Sequence, residues 1–270
     1  MTDQNSDSLN SESGLSLELY DHWMRIEIEI PGVLKENFPD LVRFTRPAPG
    51  MNFVSYSRLY EATLDSTIQE QVNYFLPLDQ PFEWLAYEHD QPHNLKERLL
   101  AHGFVDDDDP DAVMVLDLKH YQITPDEYAD FKICKLTQRD QLADVIRLEQ
   151  QVLGGDFSWI EKRLGNHLEL PGYLSVFVAY VDKEPVSTGW IYFHPNNLFA
   201  TLNGGATIPE YRQHGIYSSL VHTRLREAKE RGRRFVTTDA SPFSRPILER
   251  NGFNLLTRGF SIRWRGKTAF

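Results

Sequence analysis

Residues 201–215 read TLNGGATIPEYRQHG, and IYSSLVHTRLREAKERG follows at once, ending at Gly232. A strand-like segment runs into Pro209, then into a turn carrying Arg212, Gln213, His214 and Gly215, then into a helix. At such a junction the loop and the first helical turn carry free backbone N–H groups. The helix dipole also puts its positive end there, so the chemistry on offer is capture of a pyrophosphate. Gly215 lets the backbone approach a ligand closely and take a positive φ. R-x-x-G alone carries little information; its place between a strand and an amphipathic helix gives it weight.

Composition bounds what such a site can serve. The chain has 270 residues, 41% hydrophobic and 12% aromatic, enough for a real core in one large or two modest domains. With 39 acidic against 28 basic side chains the net charge is −11, which argues against nucleic acid or an anionic membrane as partner and allows a cationic amine. Cys134 stands alone, which fits a reducing cytosol, and a cytoplasmic location is expected. The opening MTDQNSDSLNSESG has no basic or apolar region, so no secretory signal is expected. The longest apolar run, 174–181, is too short to span a bilayer.

The elements around the junction follow from pattern. Residues 1–16 read as a disordered tail and 17–122 as an N-terminal domain, with a helix at 17–29 and a strand at 52–58. Asp65 is expected to cap a helix to residue 76, followed by a strand at 82–87, a helix at 94–101 and a strand at 112–118. A connector at about 120–132 marks the boundary with a C-terminal domain, 130–270. There Thr137 caps a helix at 138–153, and a short helix covers 159–167. Strands follow at 174–181, 186–193 and 199–207, with a turn at 182–185. The helix from Ile216 puts Leu220, Val221, Leu225 and Ala228 on one stripe. A strand at 235–239, a helix at 245–250 and a strand at 255–264 close the chain. The expected class is α/β, a mixed and mostly antiparallel sheet flanked by helices. An echo between 82–118 (LKERLLAHGF) and 235–264 (RPILERNGF) suggests that the N-terminal domain is a degenerate copy of the same fold.

ATIPEYRQHGIYSSLV resembles the pyrophosphate segment R/Q-x-x-G-x-G/A of the GNAT superfamily of N-acyltransferases, and ILERNGF resembles its late helix-to-strand segment. The resemblance covers about 133–264 and implies a GNAT-like fold that uses acetyl-CoA as co-substrate. It implies that Arg212, Gln213, His214, Gly215, Ile216, Tyr217 and Ser218 hold the pyrophosphate, while Ala206, Thr207 and Ile208 run beside the pantetheine arm where two strands splay. It also implies direct attack of an acceptor amine, from a small molecule or peptide, on the thioester. Two positions depart from the pattern. Tyr217 replaces a small residue, and Leu248 stands where many members carry a tyrosine acid. Leu248 therefore keeps open a non-catalytic CoA-binding sensor or scaffold, beside transfer of a different acyl group.

The chemistry asks for a base toward the amine and a backbone donor toward the acyl oxygen, the latter near Thr207 and Ile208. Asp239 and Ser241, ending the strand next to the junction, are the first catalytic candidates, though Asp239 also reads as a helix N-cap or turn carboxylate. Tyr217 either replaces the missing acid or packs, and His214 either meets phosphate or faces solvent. Trp190, Tyr192 and His194 share a strand face that lines either an acceptor pocket, with Phe157 and Trp159, or the core. The basic run Arg224, Arg226, Lys229, Arg231, Arg233 and Arg234 either meets the 3′-phosphate of CoA or forms a solvated helix face. Residues 106–111 lack the spacing of a calcium loop, and no His/Cys set has zinc spacing, so no metal is expected.

Overall fold

The computed structural model describes residues 15–47, 50–106, 110–123 and 130–264. Most of the expected tail, part of the connector and part of the aspartate run lie outside the described residues. The chain forms two compact units, neither contiguous in sequence. The first takes residues 1–113, 239–242 and 255–270, and the second takes 114–238 and 243–254. A strand belongs to the sheet that satisfies its backbone, so a split at one connector does not describe how the closing strands are shared out.

In the first unit the Ser16 hydroxyl accepts from the Leu19 N–H at 3.1 Å and caps α1, Leu17–Tyr20. The expected longer α-helix does not continue: Asp21–Ile26 widens into a π-helix that carries Arg25 into the interior. Strands β1 (Leu34–Asn37), β2 (Leu41–Thr45) and β3 (Asn52–Ser57) pair antiparallel in turn. Helix α2 (Leu64–Phe75) leads to β4 (Phe82–Tyr87), parallel to β3. Helix α3 (Leu95–Ala101) leads to β5 (Phe104–Asp106). Thr63, not Asp65, occupies the N-cap of α2. Asp65 turns instead to α3, accepting from Arg98 Nε at 2.9 Å and lying 3.0 Å from His102 Nε2, because charged partners compete better than a backbone N–H. The core joins Ile68 and Phe75 to Phe82, Trp84, Leu99, Ile262 and Trp264, with Phe75 stacked on Phe82 at 4.4 Å.

The second unit contains β6 (Asp111–Asp117) from Met114 onward, β7 (Lys132–Leu136), α4 (Leu142–Leu153) and α5 (Trp159–Leu168). Then come β8 (Leu174–Val181), β9 (Glu184–Tyr192), β10 (Phe199–Thr207), α6 (Ile216–Glu230), β11 (Phe235–Ala240) and α7 (Arg245–Arg250). The last strand, β12 (Asn254–Trp264), pairs antiparallel with β4 and β5. Strands β7 to β10 are antiparallel neighbours in order, and β10 runs parallel to β11. The β8–β9 turn is tighter than expected: Asp182 and Lys183 both take positive φ, 48° and 72°, so β9 starts at Glu184. Before α4 the cap is not Thr137. Gln141 Oε1 accepts from the Thr137 and Gln138 N–H groups at 2.9 and 3.0 Å, and a short 3₁₀ turn opens the helix.

The N-terminal and C-terminal halves of the sequence share one succession: an antiparallel strand pair, a helix, a strand parallel to the one before it, a second helix and a following strand. The first follows β2-β3-α2-β4-α3-β5, the second β9-β10-α6-β11-α7 into β12. The fold is mixed α/β, with the N-terminal region repeating the connectivity of the C-terminal one.

Candidate functional site

Strand β10 does two unusual things in its second half. Its ladder with β11 runs from Phe199↔Phe235 to Thr201↔Thr237 and ends there, although β10 continues to Thr207. On its other side the register with β9 jumps from Asn203↔Trp190 to Ala206↔Thr188, leaving one residue extra in β10. That is a β-bulge, which re-aims backbone groups. Gly204 sits in it at φ +61°, under the Trp190 ring. A Cβ on Gly205 would lie 2.6 Å from the Tyr217 ring, and one on Gly189 2.7 Å from the Arg224 guanidinium. Three glycines thus admit three large side chains around one bend.

The end of β10 stays tied to β9. Ser187 Oγ donates to the Ala206 carbonyl at 2.8 Å and meets Thr207 Oγ1 at 2.7 Å, and the Ile208 N–H donates to Val186 O at 3.0 Å. A 3₁₀ turn, Pro209–Tyr211, redirects the chain, and Arg212 Nε donates back to Thr207 O at 3.1 Å. Gln213 and Gly215 both take positive φ, 65° and 78°. Gly215 is the N-cap of α6, with no side-chain cap and no acidic residue in the first turn. The first N–H groups of α6 therefore have no intrahelical acceptor and face a loop, 212–215, exposed to solvent. His214 folds onto this loop, its Nδ1 donating to Arg212 O at 2.7 Å. Asn251, the C-cap of α7, donates to Ser218 Oγ at 3.3 Å. The predicted segment 206–218 is thus one continuous bend running from a bulged strand into a helix N-terminus.

Tyr217 packs: its ring covers Gly205 and its hydroxyl neighbours Arg224. Arg224 is not part of a solvated helix face. It is 1% exposed, donating from Nε to Leu220 O at 3.0 Å and from Nη1 to Trp190 O and Asn203 O, each at 3.3 Å. One guanidinium nitrogen therefore bonds both strands at the last regular pair before the bulge. Burial pushes the guanidinium below its ordinary value, and the Tyr217 hydroxyl acts against that shift. The rest of the basic run is engaged too: Arg231 with Glu227, Arg234 with Asp117, Lys229 with the Tyr121 carbonyl. Trp190 and Tyr192 belong to the core under α4 and α5, with Leu148, Leu164 and Val176, because the helices cover that face of β9. Phe157 packs at the margin of that core, and Trp159 is 42% exposed.

Asp239 and Ser241 fall in the first unit. Asp239 is solvent-accessible yet closely surrounded by protein, near Tyr20 and Tyr87. Burial first, and then the charge of Asp111, push its carboxyl up to about 6. In the same unit Asp21, His89 and Asp90 converge within 4.8 Å, but Arg25 already fills their centre, with Nη1 donating to Asp21 at 2.9 Å and to Asp90 at 2.7 Å. The donor set is that of a charge network, with no ligand pair left for a cation.

One further residue escaped the sequence reading. Glu149 lies on the buried stripe of α4 with Leu142 and Val145, and among the described residues its Oε1 has no hydrogen-bond partner. A carboxylate at a core position of an amphipathic helix is a legible signal, because burying a charge without a partner is costly.

Residues 140–253 match the sequence profile of the acetyltransferase (GNAT) family. Members typically use acetyl-CoA. Among solved structures the chain is similar to a GCN5-related N-acetyltransferase from Kribbella flavida, at TM-score 0.67 and 13% identity over 88% of this chain and 91% of that one. It is similar to a conserved protein of unknown function from Staphylococcus epidermidis, at TM-score 0.67 and 14% identity over 94% and 99%. A tandem GNAT protein from the clavulanic acid biosynthesis pathway aligns at TM-score 0.59 and 14% identity over 88% and 85%. At these identities the likeness is one of fold. Among curated proteins none matches the sequence significantly.

Proposed function

We propose that the second unit is an N-acetyltransferase that takes acetyl-CoA as donor and an amine of a small molecule or peptide as acceptor. The observation that carries this is the unladdered half of β10, running through a glycine bulge into the αL-capped start of α6. Arg212, Gln213, His214, Gly215, Ile216, Tyr217 and Ser218 hold the pyrophosphate, chiefly through backbone N–H groups, and the absence of an acidic residue from the first turn of α6 suits an anion there. Ala206, Thr207 and Ile208 offer the free strand edge to the pantetheine amides. When bound, acetyl-CoA supplies a thioester whose acyl carbon an amine attacks. Backbone N–H groups of the bulge face the developing negative charge on the acyl oxygen. An overall charge of −11 suits a cationic acceptor. Among the described residues no helix is long and apolar enough to cross a membrane, and a cytoplasmic location fits the lone Cys134.

Titration calorimetry with acetyl-CoA tests the reading. A Cβ on Gly215 meets open space, so Gly215→Val acts through backbone conformation alone. A β-branched residue at this φ is strained by about 1–2 kcal/mol, and relief of that strain moves the N–H groups off the phosphate. Binding at least tenfold weaker than wild type is expected, and wild type that binds no acetyl-CoA overturns the assignment. One observation favours a second reading, a non-catalytic CoA sensor or scaffold: Leu248, where a tyrosine acid was expected, is 1% exposed. Tight CoA binding without thiol release on any amine supports that reading, and competition among acyl-CoAs reveals transfer of a different acyl group.

A further inference from the structure

We propose that Glu149 is the catalytic base of the transfer: its carboxylate receives the acceptor's ammonium group and takes its proton. The inference rests on the acetyltransferase reading above and names the group that acts on the acceptor.

Position comes first. Helix α4 packs across β9 and β10. Asp144 Oδ2 accepts from the Tyr180 hydroxyl at 2.8 Å, and Arg147 approaches Glu184 at 3.9 Å. The helix therefore climbs toward the β8–β9 turn as it nears its C-terminus. Ser187 pairs with Thr207 and Thr188 with Ala206, so this turn marks the end of the sheet where β10 has parted from β11. Glu149 stands about one turn before the end of α4, on the stripe directed at β9 and β10. Glu149 thus lies buried on the helix that covers β9 and β10. Just beyond, Gly154 and Gly155, both at positive φ, open the chain into a loop rather than a packed joint.

Chemistry comes second. Glu149 is 2% exposed, and its Oε1 has no partner among the described residues. Two other buried charges are bridged, Arg25 by two aspartates and Arg43 by Glu36, whereas the buried Arg224 is satisfied by backbone carbonyls. The elements packed on α4 offer Glu149 no counter-charge. Strand β10 carries no ionisable side chain, Glu184 of β9 faces Arg147, and the Tyr192 hydroxyl lies 3.0 Å from His167. Glu161 of α5 pairs with Arg139 at 3.2 Å, while Lys162, Arg163 and Asp140 are exposed. A carboxylate held dry without a cation is suited to a cation that arrives with the substrate. Burial pushes its carboxyl up to about 7, the range in which a general base is both available and strong.

The step balances. An N–H proton of the ammonium passes to Glu149 Oε1, and the freed lone pair forms the C–N bond to the acyl carbon. The nitrogen of the adduct loses its second proton to solvent as the C–S bond breaks with its electron pair on sulfur; the sulfur takes a proton from solvent, and Glu149 releases its own.

Glu149→Gln tests this with acetyl-CoA as donor and n-butylamine, spermidine, glucosamine and a lysyl tripeptide as acceptors. The expected result is a kcat at least 100-fold lower, with acetyl-CoA affinity within twofold of wild type. The acid limb of the wild-type pH–rate profile, near pH 7, should vanish in the variant. Glu149→Asp should recover part of the rate. Stability should move the other way. A carboxyl at 4.5 when unfolded and about 7 when folded costs stability progressively as pH rises between those values, so Glu149→Gln should melt higher than wild type at pH 8. Full turnover by Glu149→Gln overturns the inference, as does wild type that binds acetyl-CoA and acetylates none of the four amines. Wild type that binds no acetyl-CoA overturns the parent reading instead.

Discussion

Gly204→Val is expected to abolish measurable transfer and to lower the melting temperature by on the order of 10 °C. Two independent costs meet at this position. A Cβ there would lie 1.8–2.2 Å from three carbons of the Trp190 ring, a separation no side chain tolerates. The ring has nowhere to go: Trp190 is 6% exposed and belongs to the core under α4 and α5. Overpacking of this kind costs about 1–3 kcal/mol. The backbone adds its own term, because φ +61° is strained for a β-branched residue by about 1–2 kcal/mol. The cheapest escape is loss of the bulge, which shifts 204–207 by one residue and turns each of their backbone groups to the opposite side. The activity loss should therefore exceed what destabilisation explains. Gly204→Ala should show the same pattern more mildly. The double variant Gly204→Ala, Trp190→Ala should melt higher than the sum of the two single effects, because removing the ring removes the clash. Strict additivity, or an active Gly204→Val enzyme, excludes this account.

What was legible in the sequence depended on how locally each feature is encoded. The bend from Ala206 to Ser218 was, because strand, proline, turn and amphipathic helix follow one another without interruption. The alternation of Trp190 and Tyr192 correctly put both on one face of β9. It did not say what covers that face, and α4 and α5 do so from earlier in the chain. Strands β1 and β2 went unread because each is short and carries a charge that looks like surface. Arg43 in β2 is 8% exposed only because Glu36 and Gln71 meet it from other elements. The sharing of closing strands between the units was equally silent, since nothing local in β12 names β4 as its partner. Glu149 and Arg224 are a different kind of miss. Each is a charged residue on an otherwise apolar helical stripe, Arg224 between Leu220 and Ala228, and counting such exceptions would have flagged both.

Arg25→Met is the second large effect, and it tests what holds the first unit together. The Arg25 side chain is 2% exposed. Its two terminal nitrogens grip Asp90 at 2.7 Å each, Nη1 also donates to Asp21 at 2.9 Å, and Nε donates to Ser55 O at 2.9 Å. The guanidinium also lies 4.1 Å from the centre of the Tyr87 ring. Methionine fills much of the volume but leaves two mostly buried carboxylates without their cation, a loss of about 3–5 kcal/mol. A fall in melting temperature of roughly 10 °C at pH 7 is the expected reading. The pH dependence has a definite sign. Burial acts to raise the Asp21 carboxyl, but the hydrogen bond from His89 and the charge of Arg25 outweigh it and hold the group below its ordinary value. A depressed carboxyl stabilises the fold above its unfolded value of about 4, and that contribution is lost as pH falls through the folded value. In Arg25→Met the stranded Asp21 is relieved by protonation instead. The gap between wild type and variant should therefore be widest at pH 6–8 and narrow below about pH 4. Arg25→Lys keeps the charge without the fork and should fall in between. Adding Asp90→Asn to Arg25→Met should recover part of the loss, because the penalty comes from the stranded carboxylate rather than from the missing arginine. A melting temperature for Arg25→Met unchanged across this pH range would mean that the network contributes little, and that the apolar core around Phe82 and Trp84 alone sustains the unit.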